Sequence, residues 1–139
     1  MVAAAVSAVT ATSITAVTVL TSLADSDLSD LGFAKPSLET AVSMAQVATT
    51  AGATSIVCSP LEIEAIRKVI PRSVSIITPG VRPVDETGGD DQVRTMTPAQ
   101  AIAAGANFLV IGRPITSRWS EGKAAMAARA AELVASIHV

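Results

Sequence analysis

Aromatic side chains are nearly absent from this chain of 139 residues, which has no tyrosine, two phenylalanines and one tryptophan. Its core must be aliphatic, built from valine, isoleucine, leucine and much alanine, a composition that suits helices packed closely over a parallel sheet. The single cysteine, Cys58, excludes an intrachain disulfide framework and fits a reducing cytoplasm. It ends the apolar run Thr54-Ser-Ile-Val-Cys58 and reads as a small buried hydrophobe. The one histidine, His138, stands beside the last residue, which removes Ser-His-Asp and Cys-His catalysis and any histidine-based metal site. The net charge is −2 with no basic run, so nucleic acid is not a partner. The apolar stretches are too short, or too often broken by serine and threonine, to span a bilayer, and residues 2–9 lack the basic segment of a secretory signal.

Other absences narrow the chemistry. There is no G-x-G-x-x-G and no Walker lysine loop. Asp25-Ser-Asp-Leu-Ser-Asp30 superficially resembles a calcium loop, but Asp30 and Pro36 stand where the glycine and the glutamate would be needed. Only three lysines occur, Lys35, Lys68 and Lys123, and none follows a strand-like run.

What is present is a chain that is 50% hydrophobic and reads as one domain over residues 1–139. Four short runs rich in β-branched residues, 14–20, 54–58, 74–78 and 107–111, predict strands covered on both faces. Helical patterns separate or follow them. Leu38, Ala41, Val42, Ala45 and Ala48 recur at helical spacing, with Ser37 as N-cap and Gly52 as stop. Ser59-Pro-Leu-Glu62 and Thr97-Pro-Ala-Gln100 are capping-box starts with proline in the first turn, and Gly105 closes the second helix. A last helix over residues 121–137 is expected to bury Met126, Leu133, Val134 and Ile137. Strand followed by helix, four times over, predicts an α/β fold with a parallel sheet.

Two strand ends carry the chemistry. Val110-Ile-Gly-Arg-Pro-Ile-Thr116 and Ile76-Ile-Thr-Pro-Gly-Val-Arg-Pro83 each place small residues and one arginine just past a buried strand. In a parallel β/α barrel the last two such loops are the usual phosphate cradle. Gly112 would let its N–H approach a phosphate oxygen, and Arg113 would add a planar, charge-assisted fork. A helical turn after Gly112 would add its amides. The plainer reading is a tight turn with a surface arginine. Residues 79–96 hold three glycines, two prolines and four acids without apolar periodicity, and so read as a lid. Gln92 and Arg94 would fold over the ligand on Gly88 and Gly89 as hinges, while Asp85, Glu86, Asp90 and Asp91 would keep the open loop solvated. Leu20-Thr-Ser22 puts two hydroxyls at the same end, as ligand contacts or as a turn.

These segments, in this order, resemble orotidine 5′-phosphate decarboxylase. The resemblance is carried by Ala16-Val-Thr-Val-Leu-Thr-Ser22, Ile56-Val-Cys-Ser59, Thr78-Pro-Gly-Val-Arg-Pro83, Gly89-Asp-Asp-Gln-Val-Arg-Thr-Met-Thr-Pro98 and Val110-Ile-Gly-Arg-Pro-Ile-Thr116. It implies a TIM-type (β/α)8 barrel that is active as a dimer, needs neither metal nor organic cofactor, and converts orotidine monophosphate to UMP and CO2 in pyrimidine biosynthesis. By position, Thr21 would hydrogen-bond the pyrimidine, Gln92 would reach in from the lid, and Arg82, Gly112 and Arg113 would take lid and phosphate roles.

The resemblance covers only the C-terminal half of that barrel, strands 5 to 8. The family's Asp-x-Lys-x-x-Asp motif, whose lysine protonates the carbon that loses CO2, belongs to the other half, and no such spacing occurs here. The resemblance therefore implies a lyase half that binds orotidine monophosphate or UMP but is inactive alone. A non-catalytic half-barrel for nucleotide or sugar phosphates and an assembly-only fragment are the alternatives. Met1-Val-Ala-Ala-Ala reads as the interior of the helix before strand 5, which leaves a truncated chain, a split gene and a miscalled start open. Half a barrel has open sheet edges and an apolar interior facing water, so a homodimer or association with the missing N-terminal half is expected.

Overall fold

A computed structural model describes residues 1–83 and 95–137 of the chain. Four strands, β1 (Thr15–Val17), β2 (Ser55–Val57), β3 (Ser75–Thr78) and β4 (Phe108–Leu109), form one sheet in the order β1-β2-β3-β4. Every pairing is parallel, with Ala16 opposite Ile56, Ile56 opposite Ile76, and Ile77 opposite Phe108. Sequential order and parallel direction require a crossover between each pair, and helices supply it. They are α1 (Val2–Ser7), α2 (Asp25–Asp30), α3 (Ser37–Thr50), α4 (Ile63–Arg67), α5 (Pro98–Ala104), α6 (Arg113–Thr116) and α7 (Lys123–Ala135). The result is half of a β/α barrel, as the sequence predicts.

One face of this sheet is packed and the other is not. The row Ala16, Ile56, Ile76 is 9%, 0% and 0% exposed, beneath Ala41, Ala45 and Ala48 of α3 and Ile63 and Ile66 of α4. Alanine on the inner stripe of α3 lets the helix lie close to the strands. Each buried isoleucine beneath it contributes roughly 1.5–3 kcal/mol. The next row, Val17, Val57, Ile77 and Phe108, points the other way, and its end members are 53% and 59% exposed. The strands were expected to be covered on both faces. Only the helical layer is in place, because the other cover of a barrel strand is the opposite side of the barrel.

The local signals hold with small shifts. Thr97 caps α5, its hydroxyl accepting the Gln100 N–H at 3.3 Å, and Gly105 ends the helix at φ 112°. The Ser59 box opens a 3₁₀ turn over Pro60–Glu62, with the Ser59 N–H donating to the Glu62 carboxylate at 2.9 Å. Ser37 is the first helical residue of α3 rather than its cap, since Pro36 takes that place and the Ser37 N–H donates to Asp25 Oδ1 at 2.7 Å. In α7 Leu133 is buried, Met126 and, just past the helix, Ile137 are half-buried, and Val134 is 57% exposed, so the helix buries a narrower face than its spacing suggests.

The end of the sheet opposite the motif loops is tied by one side chain. Arg67, at the end of α4, donates from Nε to Gly105 O at 2.9 Å, from Nη1 to Val74 O at 2.7 Å, and from Nη2 to Asn107 Oδ1. The same Asn107 oxygen accepts the Ile76 N–H at 2.8 Å. One guanidinium thus holds the start of β3, the start of β4 and the end of α5. Burial, with Arg72 nearby, lowers its pKa from the usual arginine value. A Cβ at Gly105 would sit 3.2 Å from Arg67 Cγ, so the glycine serves both its left-handed backbone and this close approach. Replacing Arg67→Ala is expected to cost about 3 kcal/mol, since two carbonyls lose charge-assisted partners. Urea unfolding reads this as a lower midpoint. Arg67→Lys should recover only a minor part, because an ammonium cannot reach three separated acceptors.

Candidate phosphate-binding rim

All four strands point the same way, so the loops that follow them gather at one rim. The Val110 N–H donates to Thr78 O at 2.9 Å, which seats the end of β4 directly beside the end of β3. The two motif segments singled out in the sequence therefore become neighbours. Gly112 caps α6, and the Ile115 and Thr116 N–H groups turn back onto Gly112 O at 2.9 and 3.0 Å. Pro114 has no N–H, so the amides at the open end of this turn are those of Gly112 and Arg113. Both residues are exposed, and a Cβ at Gly112 would meet nothing within 4 Å. The glycine's φ is −102°, so what it contributes is an uncovered amide rather than an unusual backbone.

The β3 end is more deeply set. Thr78 is fully buried, and its hydroxyl donates to Cys58 O at 2.9 Å. Thr18 does the same one strand over, donating to Val57 O at 2.9 Å. These hydroxyls lock adjacent strand ends together. Arg82 is 6% exposed, its N–H donating to Met96 O at 2.9 Å and its Nη1 to Val81 O at 3.0 Å. Val81 and Met96 also form a parallel bridge, so the two flanks of the 79–96 segment are joined. Gln92, Arg94, Gly88, Gly89 and the acids Asp85, Glu86, Asp90 and Asp91 lie outside the described residues, as does His138.

Thr21 is half-buried in the turn after β1, on the same rim but three strands from Gly112. At about 4.8 Å per strand spacing, the two ends of the rim are far enough apart to hold the two ends of one ligand. Between them lies a residue that the sequence marks as a helix cap and as the end of the Ile56-Val-Cys-Ser59 segment, but not as a site residue. Ser59 follows β2, is fully buried, and its Oγ has no hydrogen-bond partner among the described residues. A buried hydroxyl without a partner costs about 1–3 kcal/mol. The signal available in the sequence was its position, one residue past a strand run, as for the residues at the β1 and β3 ends.

No group of three or more potential metal ligands occurs among the described residues. No helix there is long and apolar enough to cross a membrane.

The fold is that of part of a parallel β/α barrel, a class whose active sites form at the carboxyl ends of the strands. The family model described as orotidine 5′-phosphate decarboxylase / HUMPS matches residues 1–128, and the chain belongs to that family. An orotidine 5′-phosphate decarboxylase of Thermobifida fusca is 50% identical over 133 residues, covering 96% of this chain and 56% of the relative. One from Opitutus terrae is 54% identical over 74 residues, 53% of this chain and 32% of that one. The crystal structure of orotidine 5′-phosphate decarboxylase from Lactobacillus acidophilus superposes with a TM-score of 0.68 at 34% identity, covering 89% of this chain and 50% of that one. The chain spans about half the length of the Thermobifida and Lactobacillus relatives, and less of the Opitutus one.

Ser59→Ala is expected to leave the thermal midpoint unchanged or raise it, since the variant removes a buried hydroxyl that has no partner among the described residues. Calorimetric melting of the variant checks this. A lowered midpoint would show that the hydroxyl has a structural partner.

Proposed function

We propose that this chain supplies the phosphate-gripping half of a site that decarboxylates orotidine monophosphate to UMP, the activity for which its relatives are named. The observation that carries the reading is the juxtaposition of the β3 and β4 ends, with Gly112 and Arg113 exposed just past β4. Arg113 and the Gly112 amide take the phosphate, Thr21 and Ser59 take the pyrimidine edge, and Gln92 and Arg82 close over the ligand. The single, buried cysteine is in keeping with a reaction in the cytoplasm.

The chemistry needs more than a grip. When the bond from C6 to the carboxylate breaks and CO2 leaves, an electron pair stays on C6 and must take a proton. In the family that proton comes from the lysine of Asp-x-Lys-x-x-Asp, a spacing this chain lacks. Its own lysines are exposed and stand in the α2–α3 connection, after α4 and at the start of α7, and none directly follows a strand. The chain alone therefore binds without turning over, and a complementary half-barrel bearing that lysine is the partner that activity requires.

UMP should bind the purified chain, and Arg113→Ala should weaken it about 10- to 100-fold, the loss of one charge-assisted fork. Release of labelled CO2 from orotidine monophosphate should stay at background until the N-terminal half of a relative is added. Turnover by the chain alone would overturn the reading. Arg113-dependent binding with no rescue by the added half would favour a binding module for nucleotide or sugar phosphates.

A further inference from the structure

Both edges of the sheet are open among the described residues, since β1 pairs only with β2 and β4 only with β3. Closing an all-parallel barrel needs a strand running the same way at each edge, with apolar side chains on the face that would become the interior. The two edges of this chain meet that requirement for each other. Val17 at one and Phe108 at the other belong to the same uncovered row, are 53% and 59% exposed, and are joined across it by Val57 and Ile77 with no charge among the four. Beside the β1 edge lies an apolar groove of about 330 Å³, lined by Met1, Val2, Val17, Met44 and Val47. The helix that follows the opposite edge, α7, carries an exposed Val134 among alanines. One end of the molecule thus offers a strand and a small-residue helix, and the other a matching strand and a groove.

We propose that two copies of this chain close into one eight-stranded barrel, β4 of each pairing in parallel with β1 of the other, with α7 of one copy laid against the groove of the next. A head-to-tail contact normally propagates, but it closes into a ring when the rotation between copies divides the circle. Four parallel strands are half of the number whose interior side chains just fill a barrel, so a half-turn completes it. The twofold axis then runs along the barrel, both rims lie at the same end, and Val17 and Phe108 become interior. A chain pairing edge to like edge would need antiparallel strands and would leave the apolar row in water. This closure is independent of what the rim binds.

Light scattering on the purified chain at tens of micromolar should give twice its 14.1 kDa mass. Val17→Asp and Phe108→Asp should each give a folded monomer, because both positions are already more than half exposed in the single chain. A monomer or an assembly larger than a dimer would overturn the proposal, as would a wild-type chain that associates only after the N-terminal half of a relative is added.

Discussion

A parallel strand needs a neighbour on each edge and cover on each face, and in this molecule one helical layer meets only part of that demand. The row Ala16, Ile56, Ile76 is sealed beneath α3 and α4, while Val17 and Phe108 of the next row face solvent. Everything distinctive about the structure follows from that imbalance. The packed face fixes strand order and direction, and so places the motif loops at one rim. The uncovered face makes the molecule incomplete as a folding unit, since apolar area that stays in water contributes nothing to stability.

At the rim, hydroxyl groups divide between structure and site. Thr18 and Thr78 turn theirs onto the carbonyls of Val57 and Cys58 at the strand ends, the Val57 oxygen accepting the Thr18 N–H as well. Ser59, in the same neighbourhood and equally buried, has no such carbonyl to use. The contrast matters because a buried hydroxyl without a partner costs about 1–3 kcal/mol. At the other end of the sheet Arg67 and Asn107 spend their polar atoms on the starts of β3 and β4 and the end of α5.

The strands and most helix starts were legible in the sequence because they rest on local patterns, namely β-branched runs and capping boxes. The Thr97 box and the Gly105 stop came through to the residue. Val134 did not, since helical spacing marks a candidate face without saying how wide a stripe the neighbouring elements cover. Arg67 was illegible for a related reason: its three partners lie up to 40 residues away in sequence, and only the topology brings them together. The adjacency of Gly112 and Arg113 to the Thr78 strand end was readable because consecutive β/α units place consecutive strands side by side. The orphan state of Ser59 was not, because it depends on what surrounds the hydroxyl rather than on the residue itself.

The same incompleteness sets how strongly the rim can hold an anion. Arg113 stands exposed at the mouth of an open sheet, where water screens a charge pair to about 1 kcal/mol at contact distance. The same arginine over a closed, apolar interior acts at a lower effective dielectric and is worth several times more. Covering Val17, Phe108 and their row would therefore do more than stabilise the fold. It would remove solvent from beneath the rim and sharpen every hydrogen bond made there. The rim residues would not change on closure; the medium around them would.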